Sequence, residues 1–497
     1  MKKTMVLYPG LAVSHFLPMM QLADELLGRG YAVAVALIDP AAHQQVAFTA
    51  TVDRVVSSKK HAIRFHVLPR PRVERLRRPP PATTTDRGDF SLLGYLDLVK
   101  RHNRCLHGFL ASMPLRDVHA LVVDSLSVDA LDVAQGLGVP GYVFHPGNAG
   151  AFAIFLQLSL IRREGRPSFR ELGDTPLELP GLPSMPASHL WDELLEDPES
   201  EVYSAIMALG RKNSQYCSGI LVNTFESLEP RVASALRGSR GGGGGGPALP
   251  PPFYCVGPLV EKPGERDDER RHECLAWLDG QPDRSVVFLC FGSTGSANHS
   301  AEQLREIAVG LERSGHRFLW VVRAPVSTVV GGGDPYDPRA EPDLDALLPA
   351  GFLHRTSGRS AVVKLWAPQV EVLRHRATAA FVTHCGWNSV LEGVAAGVPM
   401  LCWPLHAEQR MNKALMVAEA EMGVAVEMAG WQWGLVAAEE VERRVRQVME
   451  SEAGGELRAR VAAQKAAAAA AWADGGGSSR AAFSAFLSDV DKRQLAR

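Results

Sequence analysis

Between residues 361 and 403 the chain alternates short, continuous apolar runs with helical stretches, and few architectures tolerate that alternation. Ala361–Leu365 reads as a strand, Trp366-Ala-Pro-Gln369 as the turn leaving it, and a short helix runs through Val372. Ala379-Ala-Phe-Val-Thr383 is a second strand. His384-Cys-Gly-Trp387 is a tight turn into a helix from Asn388 to Ala396, which Gly397 and Pro399 stop. Met400-Leu-Cys-Trp403 is the next strand. Strands separated by helices of this length indicate a parallel sheet, whose ligands sit beyond the carboxyl ends of the strands.

The turn at 384–389 carries chemistry. A strand feeds through Gly386 into a helix whose first turn holds Asn388 and Ser389. Unpaired backbone N–H groups and the positive end of the helix dipole make such a place an anion site, above all for phosphate. His384 adds a further donor. Glu392 falls four residues after Asn388 and three after Ser389, so the three share one helix face. A carboxylate does not hold a phosphate, but one turn further on it accepts both hydroxyls of a ribose. Trp366, ending the neighbouring strand, offers a flat apolar face for a base. Taken singly, Ser and Asn at a helix start are ordinary caps and tryptophans are ordinary core residues. The set is what argues for a nucleotide, since stacking ring, anion site and diol acceptor follow one another within one super-secondary unit.

The 44-residue segment Trp366–Gln409 resembles the signature box of plant family-1 UDP-dependent glycosyltransferases. The matching positions are Trp366, Pro368, Gln369, His384-Cys-Gly-Trp-Asn-Ser389, Glu392, Gly397, Pro399, Trp403-Pro404 and Glu408-Gln409, and weaker similarity covers nearly the whole chain. The resemblance implies an α/β protein of the GT-B fold, two doubly wound Rossmann-like domains facing across a cleft. It implies that Trp366 stacks on uracil while the Ala367 backbone pairs with its edge. Gln369 and Glu392 would hold the ribose, His384, Asn388 and Ser389 the phosphates, and Trp387, Glu408 and Gln409 the sugar hydroxyls. In this family a terminal Gln usually accompanies glucose and a His galactose, so Gln409 favours UDP-glucose over UDP-galactose. Trp387, where glucuronosyl-transferring relatives carry Arg, points the same way.

A chain of 497 residues exceeds one ordinary core. The expected division is an acceptor-binding domain at 1–257, a linker at 258–282, a UDP-sugar-binding domain at 283–475, and a terminal helix at 476–497 that returns to the first domain as in the family. A formal net charge of −2 gives no electrostatic reason to expect nucleic acid or an anionic membrane. In the Arg- and Pro-rich stretch Arg64–Pro81 no aromatic interleaves the arginines from Arg70 onward, and it reads as a surface loop. Seven cysteines without a CxxC pair suggest reduced thiols in a cytoplasmic protein rather than a disulfide frame or a zinc site. The opening apolar run is broken by Pro9 and Gly10 and reads as a buried first strand, not a signal peptide, and no stretch is long enough to span a membrane.

Thr4–Tyr8 is that strand, and Phe16, Met20, Ala23 and Leu27 mark one face of the helix after it. The loop between them lacks GxGxxG, which counts against a nicotinamide or flavin enzyme. His15 opens the helix, whose positive end is expected to depress its pKa and keep the ring able to accept a proton. Asp124 ends the strand Ala120–Val123, either as a helix cap or as the carboxylate that orients an imidazole. The resemblance makes His15 the catalytic base and Asp124 its partner, with Asp129 the alternative. After the strand Tyr142–His145 the family usually carries a small hydroxyl residue that touches the donor sugar, and here Asn148 stands near that place. Phe152, Phe155 and Trp191 are candidates for an acceptor pocket. Ser293, in the small-residue loop Gly292-Ser-Thr-Gly295 after the strand Ser285–Phe291, is a further phosphate donor. A metal-dependent transferase would need a DxD after an apolar strand, and Asp343-Leu-Asp345 lies in a Pro-rich insertion instead.

The expected reaction is metal- and cofactor-free transfer of glucose, with inversion, from UDP-glucose to a hydroxyl of a small plant metabolite. Looser similarity to flavonoid-modifying members favours a phenol, with terpenoids or hormones as other acceptors, and the protein is expected to act as a monomer. A non-catalytic nucleotide-sugar binder is the rival from another class, and the presence of both His15 and Asp124 argues against it.

Overall fold

The computed structural model describes residues 3–39, 46–71, 92–161, 167–238, 251–261, 271–292, 299–325 and 340–497. Ser293 and most of the Arg/Pro-rich, polyglycine and 324–346 segments lie outside them. Two parallel sheets organise the chain. The first contains β1 (Thr4–Tyr8), β2 (Ala32–Leu37), β3 (Ile63–Val67), β4 (Val118–Asp124), β5 (Gly141–His145), β6 (Gly219–Val222) and β7 (Phe253–Cys255), in the order β3-β2-β1-β4-β5-β6-β7. The second contains β8 (Val286–Cys290), β9 (Arg317–Val322), β10 (Ser360–Lys364), β11 (Thr378–Thr383), β12 (Met400–Cys402) and β13 (Ala425–Glu427), in the order β10-β9-β8-β11-β12-β13.

Both orders are doubly wound, and every pairing within the two sheets is parallel. Helices on both faces leave the central strands dry, so β4 and β11 are buried along their whole length. That is why these strands read as unbroken apolar runs rather than alternating ones. Each sheet reverses its winding once, between β1 and β4 in the first and between β8 and β11 in the second. At those two points the loops beyond the strands diverge and leave a crevice.

The helices that matter for the crevices are α1 (Val13–Gly28), α2 (Ala149–Ile161), α3 (Gln369–Arg374), α4 (Trp387–Ala396), α5 (Gln409–Val417) and α6 (Ser478–Leu495). In α1 the predicted face is the buried one: Phe16, Met20 and Ala23 are wholly inside and Leu27 packs at the edge. α6 lies on the first sheet, where Tyr142 donates to Asp489 at 2.7 Å, Tyr31 to Asp491 at 3.0 Å, and Phe486 packs edge-on to Tyr142. Among the described residues no helix is long and apolar enough to cross a membrane. All seven cysteines are free.

Candidate active site

The first crevice brings together two residues 109 apart in sequence. β1 and β4 are neighbours, so the loop after β1 and the end of β4 open onto the same point. His15 Nδ1 lies 2.7 Å from Asp124 Oδ2, and Leu126 N–H donates to Asp124 Oδ1 at 2.9 Å. Asp124 is wholly buried, whereas the His15 side chain keeps 23% of its surface. With Nδ1 on the carboxylate, Nε2 is the nitrogen left to face a reactant. Gly10 makes this packing possible: a Cβ there would stand 3.0 Å from both Asp124 and His15. Asp129 is engaged elsewhere, in an ion pair with Lys212.

The helix dipole does not set the charge of His15. Burial pulls the imidazole down, but the Asp124 charge and hydrogen bond, with the charge of Glu408 from the other domain, raise it above its ordinary 6.5. The expectation of a depressed pKa is therefore corrected, because a hydrogen-bonded carboxylate outweighs a partial charge at a helix end.

The second crevice is built on β10, β11 and β12. Leu365 adopts φ +66 immediately after β10 and turns the chain so that Trp366 stands 45% exposed, edge-on to His272 at 5.7 Å. Ala367 is buried beneath it. From the start of α3, Gln369 Nε2 donates to Ser389 Oγ at 2.8 Å and to Glu392 Oε2 at 2.7 Å. Of the three residues placed on one face by spacing, Ser389 and Glu392 thus meet through Gln369, while Asn388 does not join them. α4 begins on Gly386 with no side-chain cap, and α1 begins on Ala12 likewise uncapped. Elsewhere both kinds of start occur: Glu201–Gln215 and Ala301–Ser314 are capped by Ser200 and Ser300, whereas Ala438–Glu450 and α6 begin without a side-chain cap. The Asn388 side chain joins the starts of α4 and α1, donating to the Ser14 carbonyl at 3.1 Å.

His384 sits behind this turn with Nδ1 unpartnered. Burial and the nearby His406 push its pKa down to about 3 against a hydrogen bond to the Cys290 backbone, so near neutrality the ring is dipolar and not a cation. Glu408 is partly buried at the start of α5, close enough for its charge to act on His15.

Three expected sugar contacts have other partners. Trp387 is buried, and its indole N–H donates to the Asn223 carbonyl of the first domain at 2.7 Å. Gln409 accepts from Leu405 N–H at 2.8 Å and His406 N–H at 3.0 Å, which fixes its own loop and leaves only amide hydrogens for a ligand. Asn148 is wholly buried, and both its polar atoms are bonded within the protein. Of the aromatics, Phe152 and Phe155 belong to the core and Trp191 packs at its edge, 5.7 Å from Phe155. Asp343 of the DxD caps its own short helix, accepting from Asp345 N–H and Ala346 N–H, and no metal-binding cluster occurs among the described residues.

Sequence reasoning overlooked Asn223, Glu229 and Asn412. Glu229 is a buried carboxylate that accepts from Ala149 N–H at 3.0 Å and Gly150 N–H at 2.9 Å, at the start of α2. Asn412 had a legible signal, since it falls three residues after Gln409 on the same helix.

A histidine–carboxylate pair at one switch point and an uncapped turn beside the Gln369–Ser389–Glu392 cluster at the other, on two doubly wound domains, fit a GT-B glycosyltransferase. The comparisons agree. The pattern of the UDP-glucoronosyl and UDP-glucosyl transferase family matches residues 264–455. A phloretin 2'-O-glucosyltransferase of Pyrus communis is 44% identical over 380 residues, covering 73% of this chain and 75% of the relative. An anthocyanidin 5,3-O-glucosyltransferase of a Rosa hybrid cultivar is 36% identical, covering 92% of each. Among solved structures, Phytolacca americana UGT2 complexed with UDP-2fluoro-glucose and pterostilbene aligns with a TM-score of 0.80 at 30% identity, over 98% of this chain and 99% of that one. Medicago truncatula UGT71G1 complexed with UDP-glucose aligns at 0.79 and 28% identity, over 99% and 98%. The chain belongs to the plant family-1 UDP-dependent glycosyltransferases.

Proposed function

We propose that the protein transfers glucose from UDP-glucose to a phenolic hydroxyl of a flavonoid-type acceptor, with inversion at the anomeric carbon. His15 Nε2 takes the proton from the acceptor hydroxyl as the oxygen attacks. Asp124 holds the ring through Nδ1 and stabilises the imidazolium that forms. The departing diphosphate gains negative charge, which the open N–H groups of α4, the Ser389 hydroxyl and the neutral His384 donor receive, with no metal ion or other cofactor. Trp366 stacks on the base, Ala367 lines its edge, and Gln369 with Glu392 takes the ribose. Glu408 and the amide hydrogens of Gln409 meet the sugar. Asn388, which bridges to Ser14, exchanges that contact for a phosphate oxygen.

The 2.7 Å His15–Asp124 contact, facing the start of α4, carries this reading. The names of the relatives, a phloretin and an anthocyanidin glucosyltransferase, support glucose and a phenol. A phenol gives up its proton readily, which suits an imidazole base. We place the enzyme in the cytosol as a monomer. The test combines the purified protein with UDP-glucose or UDP-galactose and a panel of phenols, terpenoids and hormones. Glucosylated phenol is the expected product, and His15→Ala should bind UDP normally yet turn over at least about a hundredfold slower. UDP binding without product from any acceptor would make the protein a binder. Undiminished turnover in the variant would remove His15 from the mechanism.

A further inference from the structure

The two domains are joined by a file of buried amides that the transfer scheme above does not use. Ala151 N–H, in the first turn of α2, donates to Asn148 Oδ1 at 2.6 Å. Asn148 Nδ2 donates across the interface to Asn412 Oδ1 on α5. Asn412 Nδ2 donates to the Cys385 carbonyl at 2.9 Å. Both side chains are wholly buried. The direction of the file is forced. A backbone N–H opens it and a backbone C=O closes it, so each amide has one orientation that serves both neighbours.

The file ends at the donor turn. Cys385 has φ +67, and its carbonyl belongs to the peptide joining it to Gly386, the residue on which α4 begins. In a trans peptide the C=O and N–H point in opposite directions. Fixing the carbonyl on Asn412 therefore turns the Gly386 N–H away from Asn412. Were the plane to flip, the Asn412 donor and the Cys385 acceptor would both be left unpaired inside the interface, which is far costlier than an unpaired group in water. A left-handed residue followed by glycine is a place where such a flip is otherwise easy.

We propose that Asn148 and Asn412 are positioning residues for the donor. They lock the Cys385–Gly386 peptide in the orientation that receives the diphosphate, and they make that orientation depend on the first domain being docked. The inference rests on the proposed reading that the α4 turn takes the diphosphate. Asn148 acts on the donor through Asn412 and not by touching the sugar.

The test measures UDP affinity by calorimetry for wild type, N148S, N412D and the double variant, with acceptor KM at saturating UDP-glucose. Serine keeps an N-cap acceptor for Ala151 N–H but is too short to reach Asn412. Aspartate at 412 keeps the shape and the acceptor but has no hydrogen for the Cys385 carbonyl. Each single change should weaken UDP about tenfold, and the double change by no more than about twofold further, because a file broken once is broken. Acceptor KM should stay within about twofold of wild type, a split that general loosening of the fold would not produce. If N412D does not fold, N148S with its cap intact decides the question alone. UDP affinity within twofold of wild type in N148S, or losses that multiply in the double variant, would overturn the proposal. Failure of the wild-type protein to bind UDP would refute the donor-site reading instead.

Discussion

Gly386→Ala separates the donor turn from backbone effects. Gly386 has φ −62 and ψ 136, a conformation open to any residue, so alanine brings no dihedral strain. A Cβ at 386 would lie 2.4 Å from His384 Nε2, whereas ordinary contact begins at 3.4 Å. Ring or turn must therefore give way by about 1 Å. The ring has little room to retreat, because the Gly292 backbone flanks it closely: a Cβ there would stand 2.9 Å from the same nitrogen. A shift of about 1 Å in a group that positions a reacting ligand costs about a hundredfold in rate, or about 2.7 kcal/mol. Losing the N-cap preference of glycine over alanine costs less than about 1 kcal/mol of stability. G386A should keep the far-UV spectrum of wild type while kcat/KM for UDP-glucose falls about a hundredfold and UDP binding weakens in calorimetry. Gly28→Ala, where nothing lies within 4 Å of the added methyl, is the control and should behave as wild type. Near-normal donor kinetics in G386A would show that His384 and the start of α4 do not meet the diphosphate.

Asp124→Asn leaves only the Glu408 charge, the weakest of the three upward influences, against burial, the strongest single influence, so the imidazole pKa falls instead of rising. The wild-type acid limb of kcat/KM should lie above pH 6.5, and D124N should move it lower while the plateau drops about 10²- to 10⁴-fold; an unmoved limb would assign the titration to another group. The raised His15 pKa also stabilises the fold fully below pH 6.5, and that contribution fades as pH rises through the folded value. Glu229 has its pKa pushed up by burial from 4.5 to about 7, despite hydrogen bonds from Ala149 N–H and Gly150 N–H. Its contribution is present below pH 4.5 and lost as pH rises to about 7, about 3 kcal/mol in all, so urea titrations of E229Q should show a flatter pH dependence than wild type; parallel curves would count against it. Trp387→Phe keeps the buried ring but orphans the Asn223 carbonyl, and should cost about 1–3 kcal/mol in denaturant unfolding, with no change expected only if water replaces the indole.

How much of this was visible in the residues follows from which interactions are local. The apolar runs placed β10, β11 and β12 to within a residue or two; β11 and β12, covered on both faces, tolerate little else, and the half-buried edge strand β10 still reads as an apolar run. Ser389 and Glu392 were placed side by side because helical spacing decides it, while Gln369, which joins them in the structure, was set beside Glu392 only by the family resemblance. His15 and Asp124 needed strand order, which only the family resemblance supplied. Partners across the domain interface were not legible. Nothing around Trp387 or Asn148 in sequence says that Asn223 or Asn412 will face it. The charge state of His15 failed for the same reason: the local dipole is written into the helix, and the distant carboxylate is not.

The turns that line the donor crevice share one further property. Leu365, Cys385 and Ala407 have φ of +66, +67 and +53, and each follows a strand of the second sheet and precedes a candidate ligand-holding residue. Sequence rules look for Gly, Asn or Asp where the chain turns left-handed, so none of the three stood out. A non-glycine residue in this region costs about 1–2 kcal/mol, which glycine would save. Glycine would also free the turn to visit other conformations. Cys385 is wholly buried, and its carbonyl is bonded to Asn412, so packing and the interface hold the strained state in place. Trp366, the Gly386 N–H and Glu408 are thereby aimed before any ligand arrives. In the transfer proposed above, binding would then not spend free energy on ordering these turns, and their dipoles would stand ready for the charge that grows on the leaving diphosphate.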